Sequence, residues 1–245
     1  MALKVSRGIK REPRRILLYG EPGVGKSTFA ANAPDVLFIP TEDGCGDIDV
    51  ARTDQIQSWQ HYVDTMTEVI KEDHNFKWVV TDSVDWLERL IFDAVANQHG
   101  VDNVGRIKFG VGYTDALNSW RRVIKAHNQL RKRGIGTIMI AHSKTKTHND
   151  PELEPFDRFI PRLQEKAAEI LVEWADEVMF ARYATETEEV QEGFSKRNKV
   201  KQGKPKRILR CQHRATAVAK NRLGMPEFID MDWNVFESYV TGKGE

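Results

Sequence analysis

Five side chains in this sequence have the types and spacing to act together on a phosphate chain: a lysine, a hydroxyl, two carboxylates and a histidine. Lys26 and Ser27 close the run Gly20-Glu21-Pro22-Gly23-Val24-Gly25-Lys26-Ser27, which fits G-x-x-x-x-G-K-[ST]. The glycines let the backbone curl so that successive N–H groups point inward onto an anion. Lys26 is placed to reach the β- and γ-phosphates of a nucleotide and the Ser27 hydroxyl to ligate Mg²⁺, so the nucleotide-binding set runs from Gly20 to Thr28. Asp82 ends the apolar stretch Phe76-Lys77-Trp78-Val79-Val80-Thr81, where a second metal contact opposite Ser27 belongs. In many P-loop ATPases a glutamate directly after this aspartate activates water, but here Ser83 follows. Glu42, just past the apolar run Val36 to Pro40, is the alternative, beside the γ-phosphate and able to orient the attacking water. His142 ends a further apolar run and comes to the same edge.

These residues need a parallel sheet to bring them together. Arg15 to Tyr19 reads as a buried strand and Thr28 to Ala33 as the start of a helix that Pro34 ends. Val36–Pro40, Phe76–Ser83, Gly136–His142 and Glu177–Ala181 read as further buried strands because they are nearly continuous apolar runs. Helical periodicity falls between them over Ser58–Glu72, Asp85–Asn97 and Tyr113–Arg133, and again over Pro161–Trp174. In the second of these, Trp86, Leu87, Leu90, Ile91, Ala94 and Val95 form the expected core stripe. Alternating strands and helices predict an α/β fold with a mostly parallel central sheet and helices on both faces. Ligands then bind at the carboxyl ends of the strands.

The expected organisation is a basic arm over 1–14, a core over 15–226 carrying a charged hairpin insertion at 184–206, and a docking segment with a tail over 227–245. The 245 residues are 40% hydrophobic and 30% charged, and the net charge is only +1, so any nucleic-acid contact must come from local patches. Cys45 and Cys211 lack metal-ligand spacing, which points to a reducing compartment and no disulfide framework. The basic start has no apolar region of a secretory signal behind it, and no run approaches a membrane span, so a cytoplasmic protein is expected.

Three stretches stand apart. Gly100 to Gly112 holds four glycines with Arg106, Lys108 and Phe109, which suits either a mobile binding loop or an ordinary helix connection. Ser143 to Arg158 has no period and reads as a long loop carrying Lys144 and Lys146. Gly193 to Pro226 holds eleven Lys/Arg and no Asp or Glu, which favours a polyanion site that includes Lys199, Lys201, Lys204 and Lys206.

Glu42, Asp82-Ser83 and His142, together with the Gly20–Ser27 loop, resemble the RecA-like ATPase core. Lys108-Phe109-Gly110-x-Gly112-Tyr113, Ala141-His142 and Ala219-Lys220-Asn221-Arg222-x-Gly224-Met225-Pro226 resemble, more narrowly, the compact phage-encoded RecA-like ATPases of the AAA domain group, which include single-strand annealing proteins. The resemblance spans about Arg14 to Pro226 and implies ATP as the nucleotide. It makes Glu42 the water-orienting glutamate and His142 the strand-end sensor of the γ-phosphate, a position often glutamine in recombinases. It makes Lys220 and Arg222 the Lys-x-Arg pair that reaches a neighbouring subunit's γ-phosphate in a homo-oligomer. The two irregular stretches match DNA-binding loops by position, with Arg106, Lys108, Phe109, Tyr113, Lys144 and Lys146 as contacts to single-stranded DNA, although Asp150, Glu152, Glu154 and Asp157 make the second loop acidic. The implied activity is ATP- and Mg²⁺-dependent annealing or strand exchange in phage recombination, with a single-strand binding protein as a further partner. The chain carries none of the large appended domains of full recombinases, so annealing is expected over independent strand invasion. The alternatives are a motor or helicase-loader ATPase and a P-loop kinase for a nucleotide or small molecule.

Overall fold

The computed structural model describes residues 5, 7–8, 11–151, 154–184, 187–192, 195–200 and 206–243, with backbone alone over 187–192 and 195–200. Its centre is a sheet built from β1 (Arg15–Gly20), β2 (Val36–Pro40), β3 (Ala51–Arg52), β4 (Trp78–Asp82), β5 (Gly136–His148), β6 (Phe156–Pro161) and β7 (Glu177–Tyr183), extended by β10 (Arg207–Arg210) and β11 (Phe228–Asp230). A separate hairpin, β8 (Thr187–Glu192) and β9 (Ser195–Val200), lies between β7 and β10 in the chain. The helices are α1 (Lys26–Ala31), α2 (Trp59–Lys71), α3 (Val84–Gln98), α4 (Val111–Lys132), α5 (Glu165–Trp174) and α6 (Trp233–Thr241).

The strand order is β11-β10-β7-β1-β5-β4-β2-β3, parallel from β7 to β3, with β10 and β11 antiparallel at one edge. Alternate residues of β1 supply two cores. Leu17 and Tyr19 pack with α2, α3, α4 and α5 on one face, while Ile16 and Leu18 pack with α1 and α6 on the other. Burial on both faces is why the strand sequences are continuously apolar rather than alternating.

The C-terminal segment closes the second face. Trp233 and Phe236 of α6 stack around Phe29 of α1, with ring centroids 5.4 and 6.1 Å away, and Trp233 meets Trp78 edge-on at 5.0 Å. The basic start is tied down as well. Arg11 donates to the Thr241 carbonyl at 2.9 Å, and Arg14 pairs with the buried Glu177.

Two expectations are corrected. Ser143 to Arg158 is not an aperiodic loop: β5 runs on to His148 and pairs antiparallel with β6, from Ser143 opposite Pro161 to His148 opposite Phe156. The second half of β5 is only partly buried or exposed, so it lacks the burial pattern that periodicity detects. Trp86 does not lie in the core of α3 but is 37% exposed, stacked under Arg89 at 4.1 Å. Asp85 and Glu88 are buried on that helix instead.

Candidate nucleotide site

The register of three parallel strands assembles the site. Gly20 at the end of β1 is level with His142 of β5, and Asp82 at the end of β4 is level with Ile140 of β5. Because β5 lies between β1 and β4, its tip falls between the glycine loop and the aspartate. Gly23, Gly25, Lys26, Ser27, Thr28, Glu42, Asp82 and His142 together line one cavity of about 390 Å³. Gly23 and Gly25 have φ of +75° and +97°, a left-handed backbone that lets the loop curl and that a side chain would strain.

Within the cavity, the Ser27 hydroxyl donates to Asp82 Oδ2 at 2.5 Å. A hydroxyl beside a carboxylate, with no larger protein cage, is a donor set that fits Mg²⁺, which keeps several waters and takes its remaining oxygens from phosphates. Among the described residues no cluster of three or more His, Cys, Asp or Glu offers another metal site. The Lys26 ammonium donates to the carbonyls of Gly20 and Glu21 at 3.2 and 2.8 Å. Burial lowers its pKa against the pull of Asp82, Asp85 and Glu42. Burial raises Asp82 and Glu42 above ordinary carboxylates, and for Glu42 the neighbouring Asp82 and Asp85 add to the rise. The Cys45 thiol donates to the same Asp82 oxygen at 3.5 Å and is itself pushed up to about 12, by burial first and by Asp82 second.

Behind His142 stands a group that sequence reasoning missed. Asp85 Oδ1 accepts the His142 backbone N–H at 3.0 Å, and its Oδ2 lies 3.1 Å from His142 Nδ1 and 2.6 Å from Arg162 Nη2. Burial pushes the Asp85 carboxyl up, but the hydrogen bonds from His142 and Arg162 outweigh it and hold the pKa far below the usual range. Arg162 follows β6 directly, so this cluster joins the strand-end histidine to the foot of the hairpin. The spacing Asp82-x-x-Asp85 was the available signal, since it sets a second carboxylate on the first turn of the helix after the strand that ends in Asp82.

The remaining candidates lie outside the cavity. Phe109 is 99% exposed at φ +58°, in the short turns Val104–Arg106 and Lys108–Gly110 that lead into α4. Lys108 beside it is exposed, Tyr113 stands edge-on to Phe92 at 5.9 Å, and Arg106 pairs with Asp102 at 2.7 Å. Lys144 donates to the Leu163 carbonyl at 2.5 Å and Lys146 pairs with Glu165 at 2.6 Å, so both expected DNA contacts are engaged within the chain. Lys206 pairs with Asp230 at 2.6 Å. The Lys199 side chain, Lys201 and Lys204 lie outside the described residues.

Lys220 and Arg222 sit at the amino edge of the sheet, opposite this chain's own glycine loop. Lys220 donates to the carbonyls of Val172, Glu173 and Ala175 at the end of α5, and Arg222 pairs with the buried Asp176 at 2.8 Å.

A glycine loop between a strand and a helix, with Asp82, Glu42 and His142 at the tips of adjoining strands, defines a P-loop NTPase. A family profile described as AAA domain matches residues 12–223, and the chain belongs to that family. The fold is the expected α/β P-loop core, with a mostly parallel central sheet and helices on both faces. No curated protein matches the chain. Among solved structures, the chain is similar to a KaiC-like protein of the hyperthermophilic archaeon Pyrococcus horikoshii OT3, at 15% identity over 81% of this chain and 78% of that one, with a TM-score of 0.39. No helix among the described residues is long and apolar enough to cross a membrane.

Proposed function

We propose that this P-loop ATPase hydrolyses ATP with Mg²⁺, binds single-stranded DNA and promotes annealing or strand exchange in phage recombination, in the host cytoplasm. The observation that carries the hydrolytic part is Glu42 facing the same cavity as Lys26, Ser27, Asp82 and His142. When bound, Mg²⁺ supplies positive charge to the β- and γ-phosphates. Lys26 grips the same oxygens, exchanging its present neutral carbonyl acceptors for charged phosphate oxygens, which bind an ammonium more strongly. Glu42 accepts a proton from the attacking water, so it works only when ionised. Its raised pKa therefore makes turnover rise with pH on the acid side. Nδ1 of His142 is engaged with Asp85 and Arg162, which leaves Nε2 for the γ-phosphate.

The DNA part is supported by Phe109. A fully exposed ring in a left-handed backbone is costly to keep, and with Lys108 beside it the ring suits base stacking next to a phosphate contact. The proposed assembly is a homo-oligomer in which Arg222 leaves Asp176 for a neighbour's nucleotide, with a single-strand binding protein as a further partner.

The test is steady-state ATP hydrolysis with and without single-stranded DNA, over a range of protein concentrations, for the wild type, Glu42→Gln and Arg222→Ala. DNA stimulation, a per-subunit rate that rises with concentration, and two inactive variants that still bind ATP support the proposal. A DNA-independent rate that ignores concentration and survives Arg222→Ala removes both the trans arginine and the DNA role. Phosphoryl transfer to a nucleoside or nucleotide would move the assignment to a kinase.

A further inference from the structure

Strand β10, between β11 and β7, brings one more cation to the phosphate-binding loop. β10 pairs antiparallel with β7, with Arg207 directly opposite Tyr183. Opposed residues project to the same face, and here both reach the glycine loop. The Tyr183 hydroxyl donates to the Gly23 carbonyl at 3.3 Å. The Arg207 guanidinium lies against Gly25, where a methyl built on the glycine would stand 2.5 Å from Nη1 and 3.6 Å from Cζ. Gly25 therefore does two things: it allows φ of +97°, and it leaves room for the guanidinium.

The surroundings separate Arg207 from the cations near it in the chain. Lys206 pairs with Asp230, Arg210 and Arg214 both pair with Glu227, Lys220 caps α5 and Arg222 pairs with Asp176. Among the described residues, Arg207 alone of this group has no hydrogen bond or ion pair for its side chain, and it is the one laid on the loop. An exposed guanidinium without a carboxylate, held by strand pairing against the glycine loop, lacks only an anion. Its planar fork of donors matches phosphate oxygens.

We infer that Arg207 is a further nucleotide-binding residue, acting in cis on the polyphosphate chain of the nucleotide held by Gly20–Thr28. Tyr183 is a positioning residue that ties the loop to β7 and so to Arg207. The assignment rests on the nucleotide-binding reading above. It concerns the phosphates rather than the base, and it is distinct from the trans role proposed for Arg222. Tyr183 and Arg207, which bracket the charged stretch 184–206 in sequence, both lie against the glycine loop.

The experiment is equilibrium binding of a fluorescent ATP analogue to the full chain without DNA, with inorganic tripolyphosphate as competitor. The variants are Arg207→Ala, Arg207→Lys, Lys26→Ala and, as a charge control, Arg214→Ala. The expected result is about tenfold or greater weakening in Arg207→Ala, a smaller loss in Arg207→Lys, no change in Arg214→Ala, and weaker competition by tripolyphosphate in Arg207→Ala. Arg207 is exposed and its side chain makes no internal hydrogen bond or ion pair, so its variants should melt with the wild type, which a thermal scan on each sample checks. Binding that is lost in Lys26→Ala but kept within twofold in Arg207→Ala overturns this assignment alone. Wild type that binds no ATP overturns the nucleotide reading and the assignment with it. An Arg207→Ala protein that binds ATP normally but has weakened single-stranded DNA binding also overturns it, and moves the residue to the nucleic-acid surface.

Discussion

Asp85 holds His142 at two points, accepting its backbone N–H at 3.0 Å and facing its imidazole Nδ1 at 3.1 Å. Arg162 approaches the same Nδ1 at 3.0 Å. The nitrogen can therefore donate to Asp85 or accept from Arg162, and the choice sets whether Nε2 accepts or donates on the cavity side. A γ-phosphate needs a donor there. The sensor role proposed for His142 therefore calls for the tautomer in which Nδ1 accepts from Arg162.

Asp85→Asn should accordingly lower kcat for ATP hydrolysis by about tenfold to a hundredfold while leaving ATP affinity within about threefold, because the residue acts through His142. The loss of charge-assisted bonds should cost about 1–3 kcal/mol of stability, with Arg162 able to turn to solvent. Kinetics and nucleotide binding on one preparation check the split. Equal losses in both would reduce Asp85 to a fold determinant.

The strands were legible because β1, β2, β4 and the first half of β5 are buried on both faces and write continuous apolar runs. The loop, Asp82, Glu42 and His142 followed from where those runs end. What stayed hidden lacks a periodic signature. Ser143 to His148 forms a strand by pairing with β6 outside the core, so it carries no apolar alternation. Asp85 and Glu88 occupy buried positions of α3 that hydrophobic spacing gives to Trp86 and Leu90, and only their tertiary partners, Arg162 and the Gln164 backbone, make that affordable. Arg207 was one of eleven cations until strand pairing set it on the loop.

Phe109 offers a separation of stability from binding. Its φ of +58° costs a residue with a Cβ about 1–2 kcal/mol, and its ring is 99% exposed. Phe109→Gly should hold or raise the melting temperature while weakening single-stranded DNA binding by about fivefold or more, as expected for one lost base stack. Fluorescence anisotropy with a labelled oligonucleotide, beside a thermal scan, measures both. A more stable variant with unchanged DNA affinity would remove this loop from the interface.

Glu88 gives a pH dependence with a definite sign. Burial lifts its carboxyl from 4.5 to about 7, against the opposing backbone N–H of Gln164 and the nearby Lys144. A folded pKa above the unfolded one favours the protonated form, so its stabilising contribution is full below about pH 4.5 and is lost as pH rises through 7. Glu88→Gln keeps an acceptor for Gln164 and does not titrate. Its melting temperature relative to wild type should rise between pH 5 and pH 8, by at most the equivalent of about 3 kcal/mol. A constant offset across that range would mean Glu88 stays ionised.

Lys220 and Arg222 should part company when each is truncated. Lys220 is the shared donor to three carbonyls at the end of α5. Lys220→Ala leaves those groups short of a partner at a helix terminus and should cost about 1–3 kcal/mol of stability. Arg222 is 53% exposed, and its partner Asp176 keeps Arg15 at 2.9 Å and Arg131 at 3.3 Å when it leaves. Arg222→Ala should therefore cost under about 1 kcal/mol. The same redundancy frees Arg222 to swing to a neighbour's phosphate without stranding a buried charge. Mixing inactive Arg222→Ala with inactive Glu42→Gln then provides the decisive assay. Restored ATP hydrolysis in the mixture requires an intact Arg222 on one subunit to complete an intact Glu42 site on the next. Two inactive proteins that stay inactive when mixed, in a preparation shown to co-assemble, would confine Arg222 to its contact with Asp176.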